Sequence, residues 1–176
     1  LTVTANVADV DSGTTITGGA GTDTINLANA ATATADFTAV TLVETINVNS
    51  GGAASTADPT IDLQAMATAI TVTGSTLIAG EDLVVDGSGA SGAITATGGA
   101  GADTLTGGTG NDVLTGGAGA DQLLARADGN NTLSGGAGDD SIQAGSGDDS
   151  IDGGDGDDTI DMTDAAPTAA DTVSGG

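Results

Sequence analysis

The 176-residue chain contains no cysteine, histidine, tryptophan, tyrosine or lysine; its one basic side chain is Arg126 and its one aromatic ring is Phe37. Without Cys and His there is no Ser–His or Cys–His dyad, no thiolate zinc site and no disulfide, and without Lys no Schiff base. One Arg against 25 acidic residues gives a formal charge of −24. That field excludes ordinary binding to a phosphate backbone, and the lack of rings removes any platform for stacking bases, so no nucleic-acid partner is expected. No apolar run approaches the ~18 residues of a membrane span and no basic amphipathic helix is present, so no membrane insertion is expected. Leu, Ile, Val and Phe together make up just under a fifth of the residues, a composition that by itself predicts disorder. What remains in quantity is carboxylate, hydroxyl and backbone carbonyl, the hard oxygen donors that suit calcium.

Spacing overrides composition. From Gly98 the chain reads GGAGADTLT, GGTGNDVLT and GGAGADQLL; after the irregular ARADGNNTLS it resumes with GGAGDDSIQ, AGSGDDSID and GGDGDDTID, ending at Asp161. An earlier copy, GGAGTDTIN, occupies Gly18 to Asn26. A large apolar residue recurs every nine positions, at Leu105, Leu114 and Leu123, then Leu133 (one place late), Ile142, Ile151 and Ile160. Two places before each stands Asp103, Asp112, Asp121, Asn131, Asp140, Asp149 or Asp158. Glycines at the first, second and fourth places permit positive φ and let carbonyls converge without a Cβ in the way. The sixth-place carboxylate can reach an ion held in that concavity. The last three residues alternate polar, apolar, polar and suit a very short strand with one inward side chain. Two nonapeptides then make one coil of turn, strand, turn, strand, and stacked coils bury a thin apolar row.

This nonapeptide resembles the glycine- and aspartate-rich repeat of the RTX (repeats-in-toxin) family, G-G-x-G-x-D-x-U-x, over Gly98–Asp161 and again at Gly18–Asn26. The resemblance implies an all-β, right-handed parallel β-roll or β-solenoid with several calcium ions between turns on both edges. It implies ligation by the sixth-place residues together with the turn carbonyls at Gly99, Gly101, Gly108, Gly110, Gly117, Gly119, Gly136, Gly138, Gly145, Gly147, Gly154 and Gly156. Each ion would be shared by repeats two apart in sequence. One edge would pair Asp103–Asp121, Asp121–Asp140 and Asp140–Asp158. The other would pair Asp112–Asn131 and Asn131–Asp149, continuing from Asp149 to Asp171. The irregular unit loses its leading glycines to Arg126 and Ala127, gains a residue and has Asn131 for Asp, with Asp128 as a replacement oxygen; the two sites sharing this turn are expected to be weak or empty. The fifth-place acids Asp139, Asp148 and Asp157 read as solvated charge.

Residues 1–97 are Thr- and Ala-rich, with β-prone runs at Leu1–Val7, Val40–Val48, Ile61–Leu63, Ala69–Val72, Leu83–Val85 and Ala93–Thr97. A faint ninefold spacing (Val7, Ile16, Ile25; Ile61, Ile70; Leu63, Val72; Val85, Ile94) predicts a continuation of the solenoid with longer loops, a separate β-sandwich being the alternative. Three segments follow: an irregular solenoid over 1–97, a calcium-binding roll over 98–161, and a loop with the start of a further repeat over 162–176. Asp23 sits in a well-formed turn and is a candidate ligand, although no clean partner repeat follows it one coil further on. Asp9, Asp11, Asp82 and Asp86 read mainly as turn-forming residues.

The Thr/Ala/Gly-rich, lysine-poor first half and the segments ITGGAGTDTINL and TLVETINVNSGG also resemble RTX-bearing bacterial surface-layer proteins. That resemblance implies an extracellular or cell-surface structural protein that self-associates into a lattice or filament, with cell-surface polysaccharide as a further candidate partner. The alternative is a folding and secretion module of a type I-secreted adhesin, toxin or exoenzyme. Paired acids such as Asp139–Asp140 lie in glycine turns without pocket-forming residues, so no enzyme activity is expected within these residues.

Overall fold

The computed structural model describes residues 1–6, 16–17, 20–28, 34–36, 40–41, 43–50, 58–63, 66–126, 129–162 and 170–176. Alternation in the sequence becomes a series of strands, none longer than the six residues of Val113–Ala118, with no helix among the described residues. One sheet contains β1 (Thr2–Asn6), β3 (Thr24–Ala28), β6 (Thr45–Val48), β8 (Ile70–Thr73), β10 (Ile94–Thr97), β12 (Val113–Ala118), β14 (Thr132–Ala137), β16 (Ser150–Asp155) and β18 (Thr172–Ser174), side by side in that order. A second sheet contains β4 (Thr34–Asp36), β7 (Thr60–Asp62), β9 (Val84–Asp86), β11 (Thr104–Thr106), β13 (Gln122–Leu124), β15 (Ser141–Gln143) and β17 (Thr159–Asp161). A two-stranded pair, β2 (Ile16–Thr17) with β5 (Val40–Thr41), stands apart. The pairings are all parallel, and from β6 onward the chain alternates between the two large sheets. The molecule is a parallel β-solenoid running through both halves of the sequence; the β-sandwich alternative does not hold.

Register sets coil length. In the first sheet Thr95 pairs with Val113, Val113 with Thr132 and Thr132 with Ser150. Each of these coils is two nonapeptides, with one extra residue where the irregular unit falls. Earlier coils are longer, since Thr45 pairs with Thr71 and Thr60 with Val84. The glycine turns keep the later coils short, and the coils are longer where those turns are missing. The predicted strand Val40–Val48 is two strands, β5 and β6, with Val43 buried between them. Others shift by a residue at their ends, as strand boundaries commonly do.

The core is the expected thin row. Leu105, Leu123 and Ile142 stack along one sheet and Leu114, Leu133 and Ile151 along the other, all buried, with partly buried Ile160 packed at the end of the first row. Because each strand contributes so few inward side chains, the core cannot by itself hold the later coils; the edges must do it.

Candidate metal centre

The residue just before each strand lies at a coil edge, and the parallel register stacks these residues into two columns. On the edge entering the second sheet, Asp103, Asp121, Asp140 and Asp158 follow one another. The Asp103 N–H donates to Asp121 Oδ1 (2.7 Å), the Asp121 N–H to Asp140 Oδ1 (2.8 Å) and the Asp140 N–H to Asp158 Oδ1 (3.0 Å). On the opposite edge the N–H groups of Asp112, Asn131 and Asp149 donate to the side-chain Oδ1 of Asn131 (2.9 Å), Asp149 (2.8 Å) and Asp171 (2.9 Å). Each expected pair is thereby brought together, one coil to the next, by one carboxylate or amide oxygen.

The second oxygen is where a cation fits. Asp121 Oδ2, Asp140 Oδ2 and Asp158 Oδ2 are buried and accept no hydrogen bond. A buried carboxylate oxygen without a donor is costly unless a cation or proton meets it. Each faces a cradle kept open by a first-place glycine. A methyl on Gly116 would stand 2.2 Å from Asp121 Oδ2 and 2.6 Å from the Gly135 carbonyl oxygen; one on Gly135 would stand 2.2 Å from Asp140 Oδ2 and 2.4 Å from the Gly153 carbonyl oxygen. Among the described residues no three carboxylates converge, so main-chain carbonyls must complete the shell, as calcium's six to eight oxygens allow. Asp121, Asp140 and Asp158, with carbonyls of the glycine turns, would hold calcium; bound there it supplies the positive charge that ties adjacent coils together.

The glycines differ in their reasons. First-place Gly98, Gly116 and Gly135 do not adopt positive φ; they are glycine because a Cβ would strike the sixth-place carboxylate. Second-place Gly117 and Gly136 have φ of 124° and 121°. Gly99, Gly101, Gly108 and Gly110, in the first coil of the block, lack positive φ and are required by the nearness of Leu77, Glu81, Ala90 and the Gly92–Ala93 backbone. The fourth-place Gly119, Gly138, Gly147 and Gly156 have both reasons, since each has positive φ and backbone of the preceding coil within about 2 Å of where a Cβ would stand.

Not every expected ligand lies in such a setting. Asp103 is already satisfied, Oδ1 by the Leu83 N–H and Oδ2 by the Gly99 N–H, both at 2.6 Å. Asp23 is buried and pairs with the Leu1 amine, while its own N–H donates to Glu44 Oε2 (2.7 Å), a link from one coil to the next. Glu44 was not anticipated; the echo of Asp23-Thr-Ile-Asn in Glu44-Thr-Ile-Asn is the signal that finds it. Asp86 forms a local turn with the Ser88 N–H (3.0 Å), and Asp82 accepts from the Ala102 N–H (2.8 Å). Asp9, Asp11, Asp128 and the loop containing Pro167 lie outside the described residues. The exposed fifth-place residues also link coils, in the reverse sense: the Asp157 N–H donates to Asp139 Oδ1 (3.0 Å) and the Asp148 N–H to Asn130 Oδ1 (3.1 Å).

Burial pushes the carboxyls of Asp103, Asp112, Asp140 and Asp149 above their usual range, against backbone hydrogen bonds that pull them down. Asp121 is pushed up to about 6, by burial first and then by the Asp103, Asp140 and Asp82 charges. A folded-state pKa raised above the unfolded value contributes stability that is present at low pH and lost as pH rises through the folded value. The calcium-free roll is therefore expected to gain β structure as pH falls from 7 through about 6 towards the unfolded carboxyl range. Far-UV circular dichroism in calcium-free buffer checks this; a β signal that stays flat or falls on acidification contradicts it.

A parallel solenoid whose edges carry stacked carboxylates over glycine cradles is a calcium-binding β-roll. The family model of the RTX calcium-binding nonapeptide repeat matches residues 15–29, 97–128 and 126–160, in four copies. The chain thus carries RTX calcium-binding repeats over somewhat less than half its length, and repeats of this kind are typical of secreted bacterial proteins. No curated protein and no solved structure matches the chain.

Proposed function

We propose that this is an extracellular structural protein whose coils are locked by calcium and which assembles into a bacterial surface layer or fibre. The observation that carries the reading is the column of carboxylates with buried, unpartnered oxygens along a parallel solenoid. A rod of this kind becomes rigid when calcium binds, and the same ions reduce the repulsion between copies of a chain with formal charge −24. The lysine-poor, Thr- and Ala-rich coils before the block, which resemble those of RTX-bearing surface-layer proteins, support the assembly role. No catalytic step is part of this reading. A second reading, a module that stays unfolded in low calcium and folds after secretion, is favoured by the same unpartnered oxygens, which destabilise the roll without the ion.

Negative-stain electron microscopy of the chain in millimolar calcium and then in chelator separates the two. Ordered sheets or filaments that dissolve on chelation are expected. A monomer at every calcium concentration removes the assembly role and leaves the folding module.

A further inference from the structure

We propose that calcium occupies one edge of the roll only, and that the opposite edge is closed by the protein's own atoms. This rests on the calcium-binding reading above and concerns which of the two columns uses the ion.

The three buried oxygens without a donor, on Asp121, Asp140 and Asp158, all belong to the column that enters the second sheet. On that edge the first place of every turn is glycine, at Gly98, Gly116, Gly135 and Gly153, and a methyl at any of them would stand within 2.1–2.3 Å of the sixth-place Oδ2. The opposite edge begins the same way at Gly107 but continues with Ala125 and Ala144. Both alanines are fully buried, so methyl groups take the position that glycine leaves open across the roll.

The oxygens of Asp112 and Asn131 on this second edge are also used, and the Asn131 side chain hydrogen-bonds the Asp149 carboxyl. Asp112 accepts from the Ile94 N–H at Oδ1 (2.8 Å) and from the Gly108 N–H at Oδ2 (2.9 Å). Asn131 keeps the coil-to-coil link through its Oδ1, which fixes the orientation of its amide. Its Nδ2 then points to the turn carbonyls, donating to Gly129 O (3.0 Å) and Ala144 O (3.5 Å). Carbonyl oxygens are what calcium ligation requires, and here a neutral NH₂ group supplies the positive hydrogens instead. Asn131 is on this account a metal-free substitute for a calcium ligand at this turn.

Two equivalent substitutions in neighbouring half-coils test the asymmetry. In Asp140→Asn and Asp149→Asn the Oδ1 acceptor is retained, so the link to the previous coil survives in both. Calcium titration of the full chain by circular dichroism should show the Asp140→Asn midpoint raised by about tenfold or more, and the Asp149→Asn midpoint close to that of the parent. Equilibrium dialysis of the parent chain should count one ion for each unpartnered oxygen, three in all over residues 98–161. Equal shifts in the two variants, or a count matching both edges, overturn the one-edge assignment while leaving calcium binding intact. No bound calcium at all overturns the calcium reading itself.

Discussion

On removal of calcium, the backbone amides of β11 to β17 are expected to exchange with solvent as an unfolded chain does, while those of β7 to β10 keep their protection. The difference comes from what fills the edge. Leu83 and Ile94 occupy the places that Asp103 and Asp112 hold one coil later, as the register of Val84 with Thr104 and Thr95 with Val113 shows. Both are buried, and Leu77, Met66 and Ala90 pack into the same turns. A fully buried Leu or Ile contributes roughly 1.5–3 kcal/mol whether or not an ion is present. In the block, a carboxylate stands where that side chain would be. At calcium ten times above its dissociation constant each site adds about 1.4 kcal/mol, so even three sites supply about 4 kcal/mol. That is comparable with the whole stability of a marginal domain, ~5–15 kcal/mol. Hydrogen exchange with mass spectrometry on the full chain, in calcium and in EDTA, measures this segment by segment. Equal protection of both segments in EDTA, or equal loss from both, contradicts it. The earlier coils would then serve as a preformed template on which the block stacks when calcium arrives, replacing a costly nucleation step.

The block was legible because three residue types recur at fixed places, and each has one mechanical task. Leu or Ile at every ninth position defines the core row, and the sixth-place residue defines the edge, so the pairs from Asp103 to Asp158 follow from counting. The earlier coils were less legible because they differ in length, as the pairings of Thr45 with Thr71, Thr60 with Val84 and Val84 with Thr104 show, and this blurs any fixed period. There, apolar side chains at Leu83 and Ile94 hold the turns, and nothing in a Thr- and Ala-rich segment marks those two as edge residues. Glu44 shows the same limit: its link to Asp23 crosses one of these irregular coils, and only the repeated Thr-Ile-Asn betrays it. The contrast of Gly116 and Gly135 with Ala125 and Ala144 was visible in the sequence. Its meaning was not, since it depends on where the carboxylate oxygen of the same turn points. Positive φ accounts for the second- and fourth-place glycines of the later coils and fails at the first place, where clearance for the carboxylate decides.

Gly138→Ala is expected to prevent the roll from closing at that turn even in saturating calcium. Gly138 has φ 129°, and a methyl there would stand 2.0 Å from the Gly119 carbonyl oxygen and 2.6 Å from its carbonyl carbon. Neither atom can yield. The Gly138 N–H donates to the Asp155 carbonyl (2.7 Å) and the Gly119 N–H to the Ala137 carbonyl (2.8 Å), so both turns are pinned to their neighbours. Backbone strain and overpacking together cost roughly 2–6 kcal/mol, as much as the about 4 kcal/mol that three calcium ions supply. Gly21→Ala provides the control, because Gly21 has a similar φ of 112° with nothing among the described residues within 4 Å of the added methyl. It carries the strain alone, about 1–3 kcal/mol, in a coil held by apolar contacts through Ile25 and Leu27. Calcium titrations followed by circular dichroism should therefore show Gly138→Ala with most of its block signal absent at every concentration and Gly21→Ala with a midpoint near that of the parent. If the two variants titrate alike, close approach of the coils is not what the fourth-place glycines provide, and the stacking geometry derived from them fails with it.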